Sequence, residues 1–260
     1  MKIAVIILHF GKLATTEHCL KELAKKIENH SVILVNNTSD NLTSLTQIIP
    51  GTKIINNQTN FGFARGVNQG IKLALTDPQI DSVLLLNNDL YISSGTLRDL
   101  ALTFTKYTSS GIVSPILHHS GGYDWGGKYN RWTGTVKHKN WNNKPKTTLS
   151  VSHVAGAAML ISRSLIEHIG LFDERFFLYY EDLDYCLRAI KAGYFVHINP
   201  AVVAEHVVSA GTSRSRRTLY QWRSHFQFVT KHLLIQTYPT AYFYNLFFYP
   251  LIYLKTLILK

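Results

Sequence analysis

Short, mostly apolar runs alternate with amphipathic segments along the first 110 residues of the chain. The runs 3–8, 32–35, 53–55 and 83–86 have the length and composition of strands, and helical spacing of apolar residues separates them. Strands that are apolar on both faces are typical of a parallel sheet covered by helices. The pattern therefore predicts an α/β fold with a mostly parallel central sheet flanked by helices.

Polar or glycine-rich residues close these strands, at the edge where ligands bind in open α/β sheets. They are His9, then Asn36 and Asn37, then a glycine-rich turn at 60–70, then Asn87, Asn88 and Asp89. A carboxylate such as Asp89 is costly to desolvate without a positive partner, and a divalent cation carrying a diphosphate would supply one. An ordinary turn is the alternative, because Asn and Asp are common turn residues. No G-x-G-x-x-G follows the first strand, so a Rossmann dinucleotide site is not indicated.

A second acidic stretch, with Glu181, Asp182 and Asp184, opens a predicted helix. Acidic residues in a first helical turn favour the positive end of the helix dipole, and Asp184 can pair with Arg188 one turn on. This structural explanation suffices for Asp184. It leaves unexplained the aromatic segment 176–180, which would lead Glu181 and Asp182 towards a cleft.

The regular alternation is lost beyond residue 111. Residues 118–150 are rich in glycine, asparagine, histidine and tryptophan, which predicts an irregular or hairpin region shaping an acceptor pocket, or a variable loop. Strand-like runs follow at 154–161, 194–198 and 202–204. The last leads to His206, and a lone histidine is more often structural than a metal ligand. The basic, serine-rich residues 213–217 predict a mobile loop able to meet phosphate, or a solvated run of charge.

Composition narrows the partners. The 260 residues carry 27 Lys and Arg against 16 Asp and Glu, a formal charge of +11, which favours an anionic partner such as nucleic acid, acidic lipid or a phosphorylated substrate. Two cysteines exclude a disulfide framework and are compatible with a reducing cytosol. The apolar run at 3–8 is too short for a signal peptide and fits a buried strand. We find no recognised nucleic-acid-binding module in the sequence.

The C-terminal stretch 241–259 is almost wholly apolar and aromatic. Its length approaches the roughly 20 residues that span a bilayer, but Asn245, Pro250 and Lys255 argue against a clean span, and its tyrosines suit a membrane interface. We therefore expect peripheral attachment to an anionic membrane surface, on the cytoplasmic, inner face of the plasma membrane. Packing on the domain or on a second subunit is the alternative.

Seven stretches, at 6–11, 35–40, 60–70, 84–89, 156–161, 170–188 and 204–211, carry a family resemblance when taken in order. Together they resemble a glycosyltransferase of family 2 with the GT-A fold, and within it the rhamnosyltransferase-like branch. The resemblance implies a GT-A catalytic domain at 1–212, with a nucleotide-sugar half at about 1–115 and an acceptor half at about 116–212. An aromatic, basic helical tail at 213–260 would follow and would carry the expected membrane attachment.

The resemblance also implies roles for single residues. Asp182 matches the catalytic base, with Glu181 orienting the acceptor or Asp182. Asp89 matches the last carboxylate of a D-x-D-type motif and, with His206, would hold Mn²⁺ or Mg²⁺. The implied donor-binding residues are His9, Asn36, Asn37, Gly62, Arg65, Asn68, Asn87 and Asn88. Asn36 departs from the family, in which an Asp accepts from the pyrimidine N3–H, although its amide oxygen can also accept.

The implied reaction is inverting transfer of a sugar, for which the resemblance suggests L-rhamnose. The donor would be a dTDP- or UDP-linked sugar, and the acceptor a hydroxyl of a lipid-linked glycan or polysaccharide. One alternative is a nucleotide-sugar-binding protein without catalysis. The other is a basic nucleic-acid-binding protein, which the charge and the aromatic residues suggest, and nucleic acid is not an expected partner.

Overall fold

The computed structural model describes residues 1–27, 30–93, 95–138, 142–207 and 213–258. Its strands are β1 Lys2–His9, β2 Ser31–Asn36, β3 Lys53–Asn56, β4 Ile80–Asn87, β5 Leu90–Ile92, β6 Ser110–His119, β7 Gly122–Asp124, β8 Gly127–Tyr129, β9 Val136–His138, β10 Leu149–Ser150, β11 Ala158–Ser162 and β12 Phe195–His206. Its helices are α1 Leu13–Ala24, α2 Phe63–Leu75, α3 Thr96–Lys106, α4 Arg163–Ile169, α5 Glu181–Lys191, α6 Arg214–His232, α7 Pro239–Phe243 and α8 Tyr249–Ile258. A short 3-10 helix, Thr43–Gln47, and a π-helical turn, Tyr244–Phe248, complete them.

The central sheet has the strand order β10-β12-β6-β11-β4-β1-β2-β3. β1 pairs in parallel with β2 and β4, and β2 pairs in parallel with β3. β11 runs antiparallel between β4 and β6, while β12 is parallel to β6. The predicted α/β fold with a central sheet is confirmed. Its parallel pairing covers the first four predicted strands, and the insertion of β11 makes the whole sheet mixed.

Both faces of the sheet are buried, as the apolar strands predicted. In β1, Ala4 and Ile6 join the core that α2, α4 and α5 cover, whereas Val5 and Ile7 join the core under α1 and α3. Alternate residues of a strand point to opposite faces. Because helices cover both faces, neither set of side chains meets water, and only the strand ends remain for ligands.

Two local predictions are corrected. The runs 194–198 and 202–204 form one strand, β12, whose register shifts between Asn199 and Val203. Residues 213–217 are the capped start of α6 rather than a loop, since the Ser213 hydroxyl accepts from the Arg216 amide at 3.4 Å.

The hairpin prediction for 118–150 is confirmed within the described residues. β7 folds back on β6, and β8 pairs antiparallel with β9. Its role in acceptor binding stays a prediction, and Trp141 lies outside the described residues. β6 crosses the expected boundary at about 115 and pairs on both sides, so the two expected halves share one sheet.

The C-terminal tail packs partly on the rest of the chain. A third apolar cluster joins residues that lead into or lie in α5 with residues of α6, its C-cap and α7: Phe176, Tyr180, Leu183, Phe228, Val229, Leu233 and Ala241. Within the part of the chain that the structure describes, no helix combines the length and apolar character needed to cross a membrane.

Candidate active site

The carboxyl ends of β1, β2 and β4 bring together the polar residues that close these strands. These residues, called the rim below, are His9, Asn36, Asn37, Asn87, Asn88 and Asp89. His9 is paired with Asn36 across β1 and β2, and Leu8 is paired with Asn87 across β1 and β4. The three polar strand ends therefore lie side by side on one edge of the sheet. This adjacency follows from parallel pairing in register, which the sequence implied but could not fix.

His9 is fully buried, and its ring hydrogen-bonds to residues beside the strand ends. Its Nε2 donates to Asp40 Oδ2 at 3.0 Å, and with the hydrogen on Nε2 its Nδ1 accepts a hydrogen bond from the Thr16 hydroxyl at 2.7 Å. Thr16 Oγ1 in turn accepts from Asn88 Nδ2 at 2.8 Å. Sequence reasoning missed Thr16, because a helix-interior threonine carries no signal of such a partner. His9 and Asn88 are thus engaged within the chain.

Asn36 is buried with its side chain already in use. Its amide nitrogen donates to the Asp40 carbonyl oxygen at 2.7 Å and to Asn56 Oδ1 at 3.1 Å. Its oxygen accepts from the Thr38 amide and hydroxyl at 3.0 and 2.8 Å. The accessible carboxylate at this corner is Asp40, with 42% of its side chain exposed. The hydrogen bond from His9 lowers the pKa of Asp40. Sequence reasoning missed Asp40, although its place four residues after a strand end was a usable signal.

The glycine-rich segment 60–70, which is helical from Phe63 onward as the start of α2, connects these strand ends to the acidic helix α5. Asn37 Nδ2 donates to the Gly62 carbonyl oxygen at 2.9 Å, and the Phe63 amide donates to the Phe177 carbonyl oxygen at 2.7 Å. Gly62 has φ +83°, and a Cβ there would collide with Phe177. Arg65 is exposed, with its guanidinium 4.1 Å from the centre of the Phe61 ring. Glycine at 62 therefore allows two distant segments to touch beside an accessible cation.

Asn68 is buried one turn further along α2. Its amide nitrogen donates to the Phe172 carbonyl oxygen at 2.9 Å and to Glu174 Oε1 at 3.0 Å, and its oxygen accepts from the Phe172 amide at 3.0 Å. These bonds tie α2 to the segment that precedes α5. Direct contact of Asn68 with a donor stays a prediction.

Asp89 and His206, the two predicted metal ligands, lie together. β5 pairs with the end of β12, opposing Leu90 and His206, which brings Asp89 Oδ1 to 3.3 Å from His206 Nε2. Both side chains are partly accessible, at 13% and 21%. No group of three or more His, Cys, Asp or Glu suited to a metal occurs among the residues described. One carboxylate and one imidazole fit a cation that takes its other ligands from a diphosphate and water.

Asp182 lies at the same edge of the sheet as Asp89. Its Oδ2 accepts from the Gly156 amide at 3.0 Å, and the next residue, Ala157, accepts from the Asn87 amide at 2.8 Å. A short path of backbone contacts therefore links the two carboxylates. Asp182 is partly exposed, so it is open to a substrate hydroxyl. Asp89 and Asp182 therefore lie at one edge of the sheet, and their use of a single substrate cleft stays a prediction.

Glu181 differs from its neighbour, because it is buried with 5% exposure. Its Oε2 has no hydrogen-bond partner within the described part of the chain. Burial, reinforced by the charge of Asp182, raises the pKa of Glu181 well above its usual range. Glu181 is therefore suited to donating a hydrogen bond as a neutral acid rather than to accepting a proton.

The two residues before this pair, Tyr179 and Tyr180, have φ values of +71° and +69°. Left-handed conformations cost a non-glycine residue roughly 1–3 kcal/mol each and occur where surrounding contacts enforce them. The Asp184 amide donates to the Tyr180 carbonyl oxygen at 2.8 Å, so α5 starts directly from this turn. The predicted pair of Asp184 with Arg188 is confirmed, with Nε 3.0 Å from Oδ2.

Much of this chain matches a family of known proteins. Residues 4–170 match the model described as Glycosyl transferase family 2. A low-salt glycan biosynthesis hexosyltransferase, Agl10 of Haloferax volcanii, is 35% identical over 139 residues, 50% of this chain and 43% of the relative. An N-acetylglucosaminyl-diphospho-decaprenol L-rhamnosyltransferase of Mycobacterium tuberculosis is 25% identical over 206 residues, 68% of this chain and 66% of the relative. A dTDP-rhamnosyl transferase of Shigella flexneri, RfbF, is 23% identical, covering 79% of this chain and 68% of the relative. The chain thus spans less than two thirds of the first two relatives.

Solved structures share the fold. A crystal structure of GalNAc-T7 with UDP, GalNAc and Mn²⁺ superposes with a TM-score of 0.67 at 15% identity, covering 86% of this chain and 47% of that one. A crystal structure of TarS from S. aureus gives a TM-score of 0.59 at 17% identity, covering 90% of this chain and 41% of that one. At these identities the likeness concerns the fold, and the expected GT-A fold is confirmed.

Proposed function

Because the chain belongs to glycosyl transferase family 2, we propose that it transfers a sugar from a nucleoside diphosphate to an acceptor hydroxyl with inversion at the anomeric carbon. The observation that carries this proposal is the meeting of Asp89 and His206 with Asp182 at one edge of the sheet. The first pair suits a cation on the leaving diphosphate. The single carboxylate suits the incoming alcohol.

On the donor side, Asp89 and His206 would hold Mn²⁺ or Mg²⁺, whose charge would stabilise the departing nucleoside diphosphate. His9, Thr16 and Asn88 keep the Asp89 strand end fixed from below. Asp40, Asn37, Gly62 and the accessible Arg65 would line the nucleotide, with Asp40 as the carboxylate nearest to Asn36 for the pyrimidine base.

On the acceptor side, Asp182 would take the proton of the acceptor hydroxyl as its oxygen attacks the anomeric carbon. A new carbon–oxygen bond forms while the bond to the diphosphate breaks, and attack from the opposite face inverts the configuration. A carboxylate offers about four lone-pair positions. The two amide contacts of Asp182, from Gly156 and Leu183, therefore leave room for the hydroxyl. Glu181, as a neutral acid, would orient Asp182 or the acceptor.

The names of the relatives support particular substrates. The Shigella flexneri relative is named for dTDP-rhamnose, and the Mycobacterium tuberculosis relative for rhamnosyl transfer to a diphospho-decaprenol acceptor. We propose dTDP-L-rhamnose, with a UDP-sugar as the second choice, as the donor. The proposed acceptor is a lipid-linked glycan.

A membrane surface fits such an acceptor. The outer side of residues 243–258, called the tail surface below, exposes Phe243, Leu246, Phe247, Phe248, Leu251, Ile252, Leu254, Leu257 and Ile258. Apolar patches of this kind mark interaction sites. With a formal charge of +11, the partner we propose is the anionic inner face of the plasma membrane, on its cytoplasmic side. A second copy of the chain is the competing occupant.

The test is a transfer assay with dTDP-rhamnose and UDP-sugars, a polyprenyl diphosphate-linked acceptor and Mn²⁺ or Mg²⁺, with EDTA as the control. We expect metal-dependent transfer and, by NMR of the product, a linkage of inverted anomeric configuration. A retained configuration would contradict the mechanism. Metal-dependent nucleotide binding without turnover on any donor would favour the alternative of a binding protein.

A further inference from the structure

His225 of α6 is a fully buried histidine at a junction of three segments. Its Nε2 lies 2.7 Å from the Thr133 carbonyl oxygen, which can only accept, so Nε2 carries the proton. Its Nδ1 therefore accepts from Asn245 Nδ2 at 2.9 Å. Its ring meets Tyr180 edge-on, with centroids 5.7 Å apart, and lies 4.8 Å from the ring of Tyr249. One side chain thus contacts the β8–β9 hairpin, the tail and the turn before α5.

The neighbours of His225 are shaped to fit it. Gly134 has φ +68°, and a Cβ on it would lie 2.7 Å from His225 Nε2. Asn245 also exchanges hydrogen bonds with Trp222, donating to its carbonyl oxygen at 3.3 Å and accepting from its Nε1 at 3.3 Å. This explains a buried amide inside the most apolar stretch of the chain. Burial lowers the pKa of His225 to about 4, so the ring stays neutral near pH 7 and keeps its acceptor nitrogen.

The turn that His225 contacts needs external support. Tyr179 and Tyr180 are both left-handed, and α5 begins with Glu181 immediately after them. α6 contacts the segment at this turn a second time, where the Ser224 hydroxyl donates to the Leu178 carbonyl oxygen at 2.8 Å. The hydroxyls of Tyr180 and Tyr249 are 3.4 Å apart. If these contacts were lost, relaxation of the two φ angles would rotate the start of α5 and carry Asp182 with it.

We propose that His225 is a positioning residue, which holds the Tyr179–Tyr180 turn in its left-handed form and thereby aims Asp182 at the acceptor hydroxyl. The inference rests on the proposed role of Asp182 as base. His225 acts through Tyr180 and touches no substrate itself. The tail would then serve catalysis by completing the acceptor side, in addition to any part in attachment.

The test compares His225→Ala with His225→Gln in the full chain. Glutamine can still donate to the Thr133 carbonyl oxygen, whereas alanine can hold neither partner. We expect kcat for transfer to fall roughly 10- to 100-fold in the alanine variant, because small misplacements of a reacting group have effects of that size. The donor KM and metal-dependent nucleotide binding should stay near the wild-type values, and His225→Gln should recover most of kcat. His168→Ala, at an exposed histidine of α4, is the control and should match wild type.

Two results would overturn the inference: an unchanged kcat in His225→Ala, or a loss of kcat matched by an equal loss of nucleotide binding in a variant that keeps the wild-type secondary structure. If the alanine variant does not fold, Tyr249→Phe removes only the hydroxyl contact with Tyr180 and should lower kcat in the same direction by a smaller factor. An unchanged kcat there would equally count against positioning. Asp182→Asn distinguishes failure of this inference from failure of the proposed function. If Asp182→Asn keeps full transfer, the proposed function itself is wrong. If Asp182→Asn is inactive while His225→Ala is fully active, only this inference is wrong.

Discussion

The donor side and the acceptor side of the site are built in different ways. On the donor side, His9, Asn36 and Asn87 stand at the ends of adjacent parallel strands, and Asp89 meets His206 where β5 pairs with β12, so strand pairing within the sheet fixes their places. On the acceptor side, Asp182 depends on Gly156, and the turn before α5 depends on α6 and the tail, up to 69 residues away at Tyr249. A defect on the donor side should therefore stay local, while the acceptor side should respond to changes made far from Asp182.

The largest effect is expected from Asp89→Ala, which breaks the donor side. Without the carboxylate, His206 alone faces the diphosphate, so we expect loss of both transfer and Mn²⁺-dependent nucleotide binding. Isothermal titration with the nucleoside diphosphate, with and without Mn²⁺, measures the second. Asp99→Ala on α3 serves as the control. Undiminished metal-dependent binding in Asp89→Ala would remove Asp89 from the metal site.

Asp184→Asn tests the ion-pair network that connects α5 to α6. Asp184 is fully buried and bridges Arg188, Lys231 and His232 at 3.0, 2.6 and 2.7 Å. Removing the buried carboxylate leaves the partly buried cations Arg188 and Lys231 without their counter-charge, so the free energy of unfolding should fall by about 3 kcal/mol in urea denaturation. Glu17→Gln, at an exposed pair with Lys21, should cost less than about 1 kcal/mol. Equal losses would mean that this network does not stabilise the fold.

The stability that this ion-pair network contributes should depend on pH. Burial raises the pKa of Asp184, but its hydrogen bonds from His232 and Lys231 outweigh that effect and leave the pKa below its usual value. The stability from this group is therefore present above the ordinary aspartate pKa of about 4 and is lost as pH falls further. The difference between wild type and Asp184→Asn in urea denaturation should shrink in acid.

Gly62→Ala tests the contact between the two sides. A methyl group would collide with Phe177 and would occupy a φ of +83°. Gly51→Ala is a matched control, since φ there is +84° but the space is open. We expect about 1–3 kcal/mol of lost stability at 62, more than at 51, with a raised donor KM only at 62. Thermal unfolding and donor kinetics measure both, and identical behaviour would show that the contact with Phe177 is unimportant.

The smallest effect on intrinsic catalysis is expected at the tail surface. Phe247→Ser with Leu251→Ser should weaken binding to anionic vesicles by roughly tenfold per residue, since burying such a side chain is worth roughly 1.5–3 kcal/mol. Turnover of a water-soluble acceptor should stay unchanged. Leu102→Ser, on the exposed side of α3, is the matched control. Light scattering that shows a wild-type dimer broken by the double variant would favour a second copy as the partner.

How far the sequence predicts this molecule depends on the range of the interactions. Apolar runs closed by His9, Asn36 and Asp89 predicted strands and rim residues, because a strand end and its polar residue are neighbours in the chain. The Asn36 amide forms hydrogen bonds within its own turn, and Asp40 is the accessible carboxylate there. Both facts depend on side-chain geometry that a sequence pattern does not encode. Pro200 made β12 look like two strands, since a local break does not reveal that both parts continue along β6.

The tail shows the same limit. Asn245 interrupts an apolar stretch, and from sequence it argued only against a membrane span. In the folded chain it binds His225 and Trp222, contacts that arise only when α6 and residues 244–248 pack together. The serine and arginine content of 213–217 suggested a loop, although Ser213 followed by a helical pattern was a usable capping signal. That prediction relied on the residue content of 213–217 and overlooked the position of Ser213 directly before a helical pattern.

The division of labour between the two carboxylates is tested most directly by Asp182→Asn, measured in parallel for sugar transfer and for Mn²⁺-dependent nucleotide affinity. Loss of a general base predicts a fall of roughly 10²–10⁴-fold in kcat, with nucleotide affinity at the wild-type value because Asp89 and His206 are intact. Full transfer by the variant, or a collapse of nucleotide affinity with the transfer rate, would contradict the separate roles assigned to the two sides.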